Sequence, residues 1–77
     1  MTNILIVEDD PMVQFIHRQY LEKIGTFDTI YSSETIAEAK KLLAGRSIQL
    51  VLLDIRLKDG NGIDFLTDLR RTKQTVD

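Results

Sequence analysis

Apolar positions in this chain alternate between unbroken runs and helical spacing, and that alternation predicts its architecture. Ile4-Leu5-Ile6-Val7 is continuous and largely β-branched, which predicts a strand. From Pro11 to Ile24, the residues Met12, Val13, Ile16, Tyr20 and Ile24 recur at helical spacing, with Pro11 suited to a first turn and Gly25 as the stop. Phe27-Asp28-Thr29-Ile30-Tyr31 reads as a shorter, mixed strand. Ser32 and Ser33 follow as helix-starting hydroxyls before a second helix carrying Ile36, Ala39, Leu42 and Leu43, with Gly45 as its C-terminal stop. Leu50-Val51-Leu52-Leu53 is a second unbroken run, expected to be buried on both faces, and it ends on Asp54. Asn61 or a neighbour then caps a third helix through Ile63, Phe65, Leu66 and Leu69.

Strand and helix alternating three times predict an α/β fold: a parallel sheet with right-handed crossovers and helices on both faces. The first strand is wholly apolar and belongs inside the sheet, whereas the second carries Asp28 and Thr29 and belongs at an edge. The expected order is therefore 2-1-3. Connections after strands one and three then leave for opposite faces and open a crevice at the C-terminal tips, where ligands of such sheets bind.

Composition narrows the possibilities. Seventy-seven residues make one small domain, and a chain of about that size buries only roughly 60% of the surface its unfolded form exposes. The absence of cysteine rules out a disulfide framework or a thiolate zinc site and fits a reducing cytoplasm. The opening apolar run is too short for a signal peptide or a membrane span, so a soluble intracellular protein is expected. Ten basic against twelve acidic residues, net charge -2, give no compositional case for nucleic-acid binding by this segment.

The 2-1-3 order brings distant acids together. Glu8, Asp9 and Asp10 follow the first strand and Asp54 follows the third. Carboxylates crowded at one sheet edge repel one another unless a cation compensates. Magnesium suits such a site, because it takes oxygen ligands and keeps several waters whose places phosphate oxygens can fill. A carboxylate can also attack phosphorus directly, and a strand end holds it rigidly. The Asp59-Gly60-Asn61-Gly62 segment is expected to supply positive backbone dihedrals where the chain turns into the third helix.

"ILIVEDDP" followed by "LVLLDIRLKDGNG" resembles the receiver domain of two-component response regulators, over essentially the whole chain. The resemblance implies a flavodoxin-like fold, Asp54 as acceptor of a phosphoryl group from a sensor histidine kinase, and Mg2+ held by Asp9, Asp54, the backbone carbonyl of Arg56 and Glu8, the last directly or through water. It implies a signalling protein that promotes its own phosphorylation, not an enzyme acting on other substrates. "MTNILIVEDDPMV", "RQYLEKI" and "LVLLDIRLKDGNGIDFL" are similar to the regulators responding to citrate and C4-dicarboxylates. The implied output is transcription, through a DNA-binding domain that is absent from this chain.

The chain departs from the family pattern at Lys58, where proline is common, and in length. The resemblance runs out after the third helix, so residues 1–77 are expected to be the N-terminal part of a receiver, without the fourth and fifth strands and their helices. The third strand then becomes an edge, so the chain is expected either to associate through it, as in a homodimer with exchanged elements, or to be part of a longer natural chain cut after the third helix. Asp10 reads as the cap of the first helix rather than a metal ligand, His17 as a surface or boundary residue, and Lys40, Lys41, Arg70 and Arg71 as solvated helix faces. Two other readings compete. An aspartate-nucleophile hydrolase would place Asp-x-Asp after strand one, a spacing "VEDDP" lacks. A noncatalytic interaction or dimerisation module derived from a receiver stays open.

Overall fold

The computed structural model describes residues 2–54, 56–57 and 60–71. Its elements are β1 (Asn3–Val7), α1 (Pro11–Ile24), β2 (Thr29–Ser33), α2 (Ile36–Gly45), β3 (Leu50–Leu53), β4 (Arg56–Leu57), β5 (Gly60–Asn61) and α3 (Gly62–Arg71). β2, β1 and β3 form one parallel sheet in the order β2-β1-β3, as expected. β1 is entirely buried because it has a strand on each flank and helices on each face.

The alternation of β1 splits the core in two. Leu5 and Val7 point to one face and pack with Val51, Ala39 of α2 and Phe65 of α3. Ile4 and Ile6 point to the other and pack with Leu21 of α1, bordered by Phe27, Ile30 and Leu50. At the C-terminal end the ladders continue one residue beyond the strands: Glu8 N donates to Ser33 O (3.0 Å) and Asp54 N donates to Val7 O (2.9 Å). The acid-bearing tips are thus held in register by the sheet.

Three helix boundaries follow from identifiable caps. Asp10 is the N-cap of α1, its carboxylate accepting from Met12 N and Val13 N. Gly25 ends that helix in the left-handed conformation, φ +72°, with its N–H donating to Leu21 O. Asn61 Oδ1 accepts from Ile63 N (2.7 Å) at the start of α3.

Several expectations need correction. The second strand runs from Thr29 to Ser33, two residues later than its apolar pattern indicated, because its register places Thr29 opposite Asn3 and Ser33 opposite Val7. Ser32 and Ser33 are therefore strand residues. The cap of α2 is Thr35, whose Oγ1 accepts from Glu38 N (3.1 Å); the T-x-x-E spacing of Thr35 and Glu38 is a capping-box signal. Gly45 is the last residue of α2 rather than a left-handed cap, and the extended Arg46 closes the helix by donating from its N–H to Leu42 O.

The apolar stripe assigned to α1 is also not its buried face. Met12, Ile16, Tyr20 and Ile24 are 66%, 56%, 66% and 46% exposed. Leu21 is buried instead, and Val13 and His17, eight and four residues before it, are half-buried on the same side. The segment expected to turn back into the third helix contains two short antiparallel strands, β4 and β5. Gly60 does not adopt a positive φ there; a Cβ at this position would lie 2.8 Å from Ile36 Cδ1 of α2, the free end of a side chain that would have to shift. Lys58 and Asp59 lie outside the described residues.

Candidate metal and phosphoacceptor site

Glu8 and Asp9 extend from the tip of β1, and Asp54 extends from the neighbouring tip of β3. Each can offer a carboxylate oxygen such that the three atoms lie within 4.8 Å of one another. Sheet order and parallel register therefore bring together residues that are more than forty positions apart. Glu8 is buried, whereas Asp9 and Asp54 are half-buried and open toward solvent.

The environment of Glu8 reports this crowding. Burial pushes its carboxyl above the ordinary glutamate value. A hydrogen bond from Asp10 N to Glu8 Oε2 (3.1 Å) opposes the rise, while side-chain hydrogen bonds with Asp9 and Asp54 and the charge of Asp54 reinforce it. Such a group keeps a proton in the folded chain that it would release in the unfolded chain. Its stabilising contribution is complete below the unfolded value and is lost as pH rises through the raised folded value. Without divalent cations, the denaturant midpoint should therefore fall as pH climbs above the ordinary carboxylate range. Glu8→Gln should flatten that slope. Unfolding curves at several pH values in a chelator test this, and an equally steep slope in the variant would remove Glu8 as its source.

Three hard oxygen donors on adjoining strand tips, two of them facing solvent, fit Mg2+, which takes a few carboxylates and retains water. Arg56 opens β4 two residues beyond Asp54, the position expected of the carbonyl ligand. Asp10 is excluded from the cluster by its capping role. His17 lies on the sheet-facing side of α1, with its Nδ1 buried and without a hydrogen-bond partner.

Sequence reasoning passed over Gln14. Its Nε2 donates to Glu8 O (3.2 Å) and Ser33 O (3.1 Å), beneath the loop that carries the acids. A lone polar residue in a first helical turn carries no signal of that contact.

The response regulator receiver domain model matches residues 4–77. The chain belongs to the response regulator receiver domain family. Among its relatives, the transcriptional regulatory protein MalR of Bacillus subtilis (strain 168) is 40% identical over 77 residues, covering 100% of this chain and 33% of that protein. The probable C4-dicarboxylate response regulator DctR of Halalkalibacterium halodurans is 33% identical over 79 residues, covering 100% of this chain and 34% of that protein. The chain thus spans about a third of the length of these curated relatives. A solved structure of the MaeR response regulator bound to beryllium trifluoride superposes with a TM-score of 0.97 at 96% identity, covering 100% of this chain and 63% of that one. The receiver fold and the kinship with transcriptional and C4-dicarboxylate regulators agree with the reading of the sequence.

Proposed function

We propose that Asp54 accepts a phosphoryl group from the phosphohistidine of a sensor kinase, and that the resulting change of charge controls transcription through a DNA-binding domain outside these residues. The observation that carries this reading is the convergence of Glu8, Asp9 and Asp54 at adjoining strand tips. A carboxylate oxygen of Asp54 attacks phosphorus and forms an acyl phosphate. The phosphorus–nitrogen bond breaks, its electron pair stays on the imidazole, and that ring takes up a proton. Asp54 is suited to this role because the Asp54 N to Val7 O hydrogen bond fixes its backbone at the end of the sheet.

Glu8, Asp9, Asp54 and the Arg56 carbonyl are the groups that would hold Mg2+, which when bound supplies charge neutralisation between the carboxylates and the incoming phosphate. The donor chemistry of the three acids supports that assignment, and the MaeR complex with beryllium trifluoride supports, by kinship, the reading of these residues as a phosphoacceptor site. No described helix is long and apolar enough to cross a membrane; the proposed compartment is the cytoplasm. Incubation of the longest natural chain carrying these residues with Mg2+ and a small phosphodonor should yield a labile phosphoryl adduct by intact mass. Absence of an adduct would overturn the proposal.

A further inference from the structure

We infer that Gln14 is a positioning residue for the acid cluster, an inference that rests on the proposed Mg2+-dependent phosphorylation. Its single Nε2 spends both hydrogens on backbone carbonyls, those of Glu8 and Ser33. Ser33 O also accepts Glu8 N–H (3.0 Å), so the N–H and C=O of Glu8 are both tied, one to the tip of β2 and the other to α1. Gln14 N in turn donates to Asp10 O (2.9 Å), and Asp10 N donates to Glu8 Oε2. Residues 8–10 are thereby closed into a loop, with the Gln14 carboxamide joining it to two elements of the fold.

The loop needs such a clamp because of the charge it carries. Glu8 and Asp9 crowd Asp54, and repulsion among ionised carboxylates favours any backbone motion that spreads them. A cation binding to a spread set must first draw the ligands together, which lowers its affinity. Groups that orient metal ligands through hydrogen bonds typically contribute about 10–100-fold to affinity or activity. Gln14 touches neither the proposed metal ligands' carboxylates nor the reacting atoms, so its contribution is to affinity and to ligand placement.

The test uses the longest natural chain carrying these residues, with Mg2+ affinity read from amide chemical shifts of Glu8, Asp9 and Asp54. Gln14→Met keeps the length of the side chain but has no donor, and should weaken Mg2+ binding on the order of tenfold. Phosphorylation by a small phosphodonor should then need more Mg2+ for half-maximal rate, while the rate at saturating Mg2+ stays near that of the parent. Gln14→Arg restores N–H donors and should recover most of the affinity. Gln14→Ala, favoured in a helix, should repeat the Met result if the Met variant folds poorly. Parent-like Mg2+ affinity in both donorless variants would overturn the positioning role, as would an Arg variant no better than the Met variant. A parent chain that shows no Mg2+-dependent shifts would instead overturn the functional proposal beneath it.

Discussion

Asp54→Asn will eliminate the phosphoryl adduct while leaving the fold intact and, without divalent cations, more stable than the parent. The amide has the shape of the carboxylate but is a far weaker nucleophile toward phosphorus, so labelling should fall below detection by intact mass. The stability change comes from the electrostatics of the site. Asp54 contributes both charge and a hydrogen bond to the forces that raise the Glu8 carboxyl, and removing its charge relieves part of the repulsion. Loss of function together with gained stability is expected where a site is arranged for chemistry rather than for folding. Denaturant unfolding in chelator, beside the mass measurement, checks both halves. Equal labelling of parent and variant would remove Asp54 as the acceptor, and a marked loss of stability would show that its carboxylate has a structural role.

Phe65→Ala will remove most of the folding stability, although Phe65 is remote from the chemistry. Phe65 is 2% exposed and packs with Leu5, Val7, Ala39 and Val51 on the sheet face covered by α2 and α3. Truncating a buried phenylalanine costs roughly 3–5 kcal/mol, against about 5–15 kcal/mol for a typical domain, with small chains at the low end. The expected result is loss of a cooperative unfolding transition or a midpoint near zero denaturant. Ile63→Ala on the same helix is the control, because Ile63 is largely exposed and surface substitutions usually stay within about 0.5 kcal/mol. Similar losses in the two variants would mean that α3 does not dock through Phe65.

Much of this architecture was legible because its strands are extreme in composition. Ile4–Val7 is an unbroken apolar run that the sheet buries throughout, and the polarity of the second strand placed it at an edge; the similar run Leu50–Leu53, expected to be buried on both faces, buries only Val51 and leaves Leu52 exposed, because β3 is an edge of the described sheet. The acids were legible together because Glu8 and Asp54 each directly follow such a run, with Asp9 next to Glu8 along the chain. Less legible were features in which two good local signals compete. Ser32 and Ser33 are credible helix caps, yet pairing with β1 claims them as strand, and Thr35 caps the helix. In α1 the more apolar stripe lost to the side carrying Leu21, because the sheet beneath, with Ile4 and Ile6, decides which face docks.

The amino-acid order alone determined the number and kind of the main elements, the parallel sheet, and the membership of Glu8, Asp9 and Asp54 in one acidic site, since these depend on periodicity and on which residues end the strands. Tertiary structure decided which side of α1 is buried, where β2 begins, that Gly60 lies against Ile36 of α2, and that Gln14 grips the backbone of the acid-bearing loop. Each of those depends on distances between segments far apart in the chain, and spacing along a sequence does not encode such distances until the sheet has set its register.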